Sequence, residues 1–569
     1  MIEFKKEKEL DEQIKKYKNI TLCTSIFRLL IAISLLVCLI LLFSLQDFLL
    51  YGILSGSIFV ILVLFILFTN KYYYKLNHLN NKKKVYKIHY TRRELNLVQF
   101  HDNGGEFLDK NDYKEADLDL FGRNSIFQYL NSCKTKRGRM YLADLLKSKH
   151  EYDNNQSQAV YELGNKEETL DIEASLLGIN NNASKLDYEE LLSITKNNIK
   201  MNILYFIPLL SFIGLFVYIA LIFILNLNPF FLFIFLGANF ISTRLLSRIN
   251  IFRIKASSYI NLIDNYILVS KTFMNINYDN QLLNDYKNKI SENITSLEKL
   301  KNVLDTLSYR SNLLFLILAN SLFISDFFTV LLFNHRVKNN INIKEAFDII
   351  TKLEAMISLS NVRIDNEISC MPVKSDNFKF EGLYHPLIKN PVSNSLNIKE
   401  GIILTGSNMS GKTTFLRTIG IALILYKASG VVPAEYFEAP ELDIYTSLRA
   451  NDMLEEGVST FYAEILRMKL INEAIKKGPC MILIDEIFKG TNMKDRLEAS
   501  FKIIEKLVSS NQYFIISTHD IELTNAKNII NYHFSDYFKD DKIYFDYKIK
   551  EGVSTKTNAL ELLKMANII

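Results

Sequence analysis

Cysteine is scarce and unpatterned in this chain of 569 residues. The five cysteines, Cys23, Cys38, Cys133, Cys370 and Cys480, are odd in number, and none stands in a paired spacing. This supports neither a disulfide framework nor a zinc site, and it suits a reducing compartment. Charge of one sign is lacking too. A formal net charge of +5 is small for this length and does not by itself indicate nucleic acid, because a membrane protein with basic flanks gives the same total. No internal repeat or low-complexity segment occurs. The start is not a cleavable signal, since a long, mostly charged stretch precedes the first apolar run. Apolar residues are plentiful instead, at 49% hydrophobic against 23% charged.

Four apolar runs stand out, at roughly 22–45, 48–68, 203–225 and 230–246. They form two hairpins with short links at Gln46-Asp47 and 226–229. A span needs ~20 apolar residues; the first three runs qualify and the fourth is short. Arg28 is placed to snorkel to the interface. Lysines and arginines flank the first hairpin on both sides, from Lys5 to Lys18 and from Lys71 to Arg93, and neither hairpin tip carries one. The expected protein is multi-pass, with both termini cytoplasmic. A fifth run, 313–333, contains Asn320, Ser321, Ser325 and Asp326. Crossing there would carry all that follows to the face opposite the basic flanks of the first hairpin, so it is read as one buried helix of a soluble domain.

Gly406-Ser407-Asn408-Met409-Ser410-Gly411-Lys412-Thr413 fits G-x-x-x-x-G-K-[ST], and Thr414 opens the predicted helix behind it. A predicted strand, 401–405, leads in. Strand, glycine-rich loop and helix are the context this pattern needs. Its amides and the helix N-terminus would face phosphate. Lys412 would neutralise the β- and γ-phosphates of ATP, and the Thr413 hydroxyl would ligate Mg²⁺.

Three further segments complete a constellation. The apolar run 480–484 ends in Asp485-Glu486, where Asp485 would hold Mg²⁺ and Glu486 would orient and deprotonate the attacking water. The run 513–517 ends in Thr518-His519, and His519 is placed to contact the γ-phosphate. Between loop and carboxylates lies Gly457-Val458-Ser459-Thr460-Phe461. It reads as a helix start, with Ser459 or Thr460 as its cap.

In this order the motifs resemble the ATPase domain of the MutS family of mismatch-repair proteins. Val432-Pro433-Ala434 and Tyr384-His385-Pro386 extend the likeness, and 117–121, Thr135 to Arg139 and 158–163 resemble that family's helical core more loosely. The resemblance implies that two ATPase domains dimerise. Gly457, Ser459 and Thr460 of one subunit then complete the ATP site of the other, Asn408 helps hold phosphate, and the ATP state is relayed through the helical core. Departures accompany it. The family's Phe-x-Glu mismatch wedge is absent from residues 1–250, and Phe488-Lys489 stands where the family usually has Gly-Arg.

The expected fold is an α/β P-loop ATPase domain of the ABC/MutS type with a parallel sheet core, plus an α-helical core or lever domain and two transmembrane hairpins. The expected divisions are a cytoplasmic segment at 1–21, hairpins at 22–70 and 201–246, the core in two parts at 71–200 and 247–370, and the ATPase domain at 371–569. The expected function is a membrane-anchored, homodimeric ATPase whose cofactors are ATP and Mg²⁺ and whose default partner is DNA, mismatched or branched. The alternatives are an ATP-driven membrane switch acting on a protein or lipid, and an ABC-type transporter. The transporter is disfavoured by the missing Leu-Ser-Gly-Gly-Gln signature and by spans without mid-membrane charge.

Overall fold

The computed structural model describes residues 7–45, 48–109, 111–196, 206–225, 227–245, 257–308, 313–337, 341–399, 401–449, 460–488, 492–539 and 542–553. Two helices open it, α1 (Glu7–Leu45) and α2 (Phe48–Arg93). At 1.5 Å per residue they are ~58 and ~69 Å long, about twice the ~30 Å of a hydrocarbon core. α2 runs unbroken through residue 70, where its composition turns from apolar to charged. One helix therefore joins the apolar hairpin to the body of the protein. Leu30, Leu36, Ile53 and Leu64 project outward along the apolar halves. The Arg28 guanidinium is bonded across the hairpin to Thr69 Oγ1 and, at 3.2 Å, to Asn70 Oδ1, and it lies over the Tyr73 ring.

The helical body comprises α3 (Tyr113–Asp117), α4 (Ile126–Leu130), α5 (Lys136–Leu146), α6 (Asn154–Asn165), α7 (Thr169–Leu176) and α8 (Tyr188–Lys196). An apolar pair follows, α9 (Phe206–Leu225) and α10 (Leu232–Leu245). The body resumes with α11 (Ile260–Met274), α12 (Gln281–Ser308), α13 (Leu313–Phe323), α14 (Ser325–Val337) and α15 (Ile341–Asp365). Three helical stretches among the described residues are long and apolar enough to cross a membrane: Glu7–Leu42, Leu50–Arg93 and Phe206–Leu225. The fourth expected run is shorter than a span, because a 3₁₀ turn at Pro229–Phe231 takes up its start.

α15 is the axis of the body. From Leu353 to Val362 it is buried on every side, as an element enclosed by others must be. Thr135 caps α5 by accepting the Gly138 amide at 3.0 Å. A Cβ on Gly138 would lie 1.9 Å from Glu354 Oε2, so only glycine lets α5 close onto α15.

The run 313–333 departs from expectation. It is two helices, broken at Ile324, which has a φ of +40°. Phe323, Phe328 and Leu332 are exposed, so the segment is not a buried helix. The Asn320 and Asp326 side chains, bonded to each other, favour the break over a continuous turn.

The C-terminal domain has two sheets. β1 (Val373–Lys374), β2 (Phe378–Leu383), β3 (Asn394–Ile398) and β5 (Tyr436–Ala439) form a small one in the order β1-β5-β2-β3, with antiparallel pairing except between β1 and β5. The large sheet uses β4 (Gly401–Thr405), β6 (Asp443–Ser447), β7 (Cys480–Asp485), β8 (Tyr513–Ser517), β9 (Ile529–Lys539) and β10 (Lys542–Glu551), in the order β10-β9-β4-β8-β7-β6. All its pairings are parallel except β10 on β9. Strand alternation divides its core. Ile402, Leu404, Met481, Leu483 and Ile515 face α16 (Lys412–Lys427) and the helical body. Ile403, Ile482, Ile484, Phe514 and Ile516 face the other way, with α17 (Thr460–Ala474) and α18 (Met493–Ser509).

Candidate functional site

The strand order brings the chemistry together. β8 lies between β4 and β7, so the C-terminal ends of three parallel strands deliver the glycine loop, Asp485-Glu486 and Thr518-His519 to one edge. This is where an open α/β sheet places its ligands. Gly406 and Gly411 have φ of +147° and +102°. A Cβ on Gly406 would stand 2.9 Å from the Phe534 carbonyl oxygen and from Ser410 Oγ. Crowding and backbone angle together demand glycine there.

Lys412 is buried, and its ammonium donates to the carbonyls of Gly406 at 2.8 Å and Ser407 at 2.9 Å. It also lies 3.4 Å from His519 Nε2. Thr413 Oγ1 donates to Asp485 Oδ2 at 2.7 Å, and Ser517 Oγ donates to Asp485 Oδ1. Glu486 leaves the strand with φ +63°, a backbone region that costs ~1–3 kcal/mol for a non-glycine residue and that clusters at functional sites. This turn brings Glu486 Oε1 to 3.2 Å from His519 Nε2. Burial, then the Lys412 ammonium, holds the His519 imidazole below its ordinary pKa despite the nearby carboxylates.

A cleft of about 610 Å³ opens over these groups. Asn408, Met409, Ser410, Gly411, Lys412, Thr413, Thr414, Asp485, Glu486 and His519 all line it. Ser407 instead turns its hydroxyl to Asp536 at 3.1 Å. Gly457 and Ser459 lie outside the described residues, and Thr460 is the first residue of α17. Among the described residues no group of three or more His, Cys, Asp or Glu side chains could hold a metal ion. Thr413 and Asp485 offer two hard oxygen ligands, which suits Mg²⁺, an ion bound through few protein oxygens plus phosphate and water.

Sequence reading missed part of this cleft. Tyr547, from β10, lines it too, within the register shift between Phe545 and Ile549 of the β9–β10 pairing. Its ring packs where a Gly411 side chain would be, 3.0 Å from the Cβ position. Only the pairing of β10 could have revealed this, 134 residues or more beyond the loop. His385 also lines the cleft, and burial, then Arg417, lowers its pKa to about 4. The helical body reaches the same domain through one loop. Buried Asp117 accepts from Thr446 Oγ1 at 2.8 Å and the Leu448 amide at 3.0 Å, and it pairs with Arg467 of α17. Asp119 pairs with Arg417 of α16 and with Arg449.

The sequence profile of MutS domain V matches residues 402–569, the stretch that carries the glycine loop, Asp485-Glu486 and His519. Residues 402–569 thus carry a MutS domain V. It is 33% identical over 199 residues to the DNA mismatch repair protein MutS of Persephonella marina, covering 32% of this chain and 23% of that protein. The mismatch repair protein MutS of Thermotoga maritima is 29% identical over 236 residues, 38% of this chain and 29% of that one. MutS protein homolog 4 of Mus musculus is 29% identical over 231 residues, 37% and 24% respectively. The chain thus spans about a quarter of the length of the MutS relatives it matches. The MutS family is one of ATPases, and the glycine loop, Asp485, Glu486 and His519 of the cleft lie within the matched stretch.

Proposed function

We propose that this chain is a membrane-anchored MutS-type ATPase that works as a homodimer, with the domain divisions expected from the sequence and both termini cytoplasmic. The observation that carries the reading is the Thr413–Asp485 contact of 2.7 Å, made across two strand ends, with Glu486 next in sequence. In this reading Lys412 and the amides of 406–414 bind the phosphates of ATP. Thr413 and Asp485 hold Mg²⁺, which when bound neutralises charge on the phosphates. Glu486 accepts the proton of the attacking water, and His519, 3.2 Å away, holds that carboxylate in place. Gly457, Ser459 and Thr460 complete the site of the partner subunit.

DNA is the partner that the relatives' names point to, and in the absence of a wedge, binding would rest on phosphate contacts and shape. A second reading, an ATP-driven switch acting on a protein or lipid, is favoured by α2, one unbroken helix from apolar hairpin to body. Glu486→Ala protein, purified in detergent, tests both. It should bind ATP with turnover abolished, and undiminished turnover would refute the assignment of Glu486. Tight, ATP-modulated binding of mismatched or branched duplex across a salt series supports the DNA role. Weak, salt-sensitive association alone supports the second reading.

A further inference from the structure

The broken segment α13–α14 is not used by the ATPase, and its position is informative. α13 packs against α10, and α14 packs against α12 and α8 of the body. Phe212 of α9 meets Phe328, at 6.0 Å between rings, and packs on Ile324 and Phe327. The break therefore sits on the apolar pair α9–α10. Its outer side continues their exposed apolar surface, with Ile317, Leu322, Phe323, Phe328, Leu331 and Leu332 projecting outward.

Polar groups at the break find partners within the protein. Asn239 of α10 donates from Nδ2 to the Ser321 carbonyl at 2.9 Å. Asn320 accepts the Asp326 amide at 2.9 Å and donates to the Asp326 carboxylate at 3.1 Å. The Ile324 amide bonds back to the Asn320 carbonyl at 3.2 Å. In water such groups need no partner from a neighbouring apolar helix. In hydrocarbon a helix break is tolerated only when its backbone groups are satisfied within the protein. At 11 residues, α13 is ~16 Å long, about half a hydrocarbon core. Since α12 and α15 both belong to the body, a half-span that enters and returns leaves the C-terminal domain on the side it started from.

From this we infer that α13–α14 is a re-entrant segment, seated on α9–α10 with its outer face against lipid acyl chains. The inference rests on the membrane-anchored reading and extends it to a segment that is not a span. The chain contains no tryptophan, so a single introduced one reports its own surroundings. Phe323 is 59% exposed, Leu332 50%, Phe216 of α9 52% and Val98 of the body 66%, so each site accepts a larger ring. Phe323→Trp, Leu332→Trp, Phe216→Trp and Val98→Trp would be reconstituted separately, full length, in phosphatidylcholine vesicles with and without mid-chain bromination. Bromolipid should quench Phe323→Trp and Leu332→Trp about as strongly as Phe216→Trp and leave Val98→Trp unchanged. If Phe216→Trp is quenched while the other two respond only to aqueous iodide, the segment lies in water and the inference is overturned alone. If those two respond to neither quencher, protein covers them, and the inference is again overturned alone. If Phe216→Trp itself escapes bromolipid, the reading of α9–α10 as a membrane hairpin falls and takes the inference with it.

Discussion

Glu354 lies deep in the body on α15, and its Oε2 accepts from the Thr135 hydroxyl at 2.8 Å and the Thr135 amide at 3.2 Å. Burial is the larger influence and lifts its pKa from 4.5 to about 7, against the lowering effect of those bonds. The folded state thus binds a proton that the unfolded state has released, so stability falls as pH rises from 4.5 towards 7. Glu354→Gln keeps the shape without the charge. In detergent melts across that range it should flatten the decline, and at pH 8 it should match or exceed the wild type in Tm. A decline of unchanged slope would place the titrating group elsewhere. In the cleft, Thr413→Ala removes one of the two protein oxygens offered to Mg²⁺. Hydrolysis should fall about tenfold or more, or ~1.4 kcal/mol of barrier, with the loss greatest at low Mg²⁺, as a magnesium titration of turnover will show.

Between elements, the decisive joint lies where α2, α7 and α15 meet. His89, wholly buried, contacts Asp365 at 2.9 Å and Glu173 at 3.2 Å, while Arg92 and Arg93 also pair with Asp365, each at 3.1 Å. Burial alone would lower the His89 pKa, but Asp365 and Glu173 outweigh it and raise it from 6.5 to about 8. The stability this gives is complete below pH 6.5 and is lost as pH rises through 8. Asp365→Asn leaves buried cations with one carboxylate fewer, a change that costs ~3–5 kcal/mol. Chemical denaturation in detergent should show that loss, and a loss under ~1 kcal/mol would mean that water reaches the joint. None of this was legible in the sequence, because Asp365 lies more than 270 residues from its three cationic partners and Glu173 lies 84 from His89. The strands 401–405, 480–485 and 513–517 were legible, since each is an apolar run closed by a chemical motif. The small sheet was not, for β2 and β3 carry mixed residues whose pairing is set by tertiary contacts. The run 313–333 misled because composition alone cannot show that Asn320 and Asp326 satisfy one another.

For the whole molecule, the question is whether one subunit owns its ATP site. Asp117 ties the body to Arg467 on α17, and Asp119 ties it to Arg417 on α16. One loop of the body thus grips the helix that follows the phosphate loop and the helix that starts at Thr460. If Ser459 of one subunit serves the nucleotide of the other, closure of the dimer draws α17 of each subunit toward its partner's α16, and this loop carries the movement inward. Subunit mixing decides the premise. Lys412→Ala and Ser459→Ala homodimers should each be nearly inactive. In a heterodimer of the two, a composite arrangement gathers both defects into one site and leaves the other intact. Random equal mixing of a two-fold dimer should then restore about a quarter of wild-type turnover. If each site lies within one subunit, every site in the mixture keeps a defect, and mixing restores nothing. Recovery that follows subunit exchange in time would establish that the dimer, and not the single chain, is the unit that hydrolyses ATP.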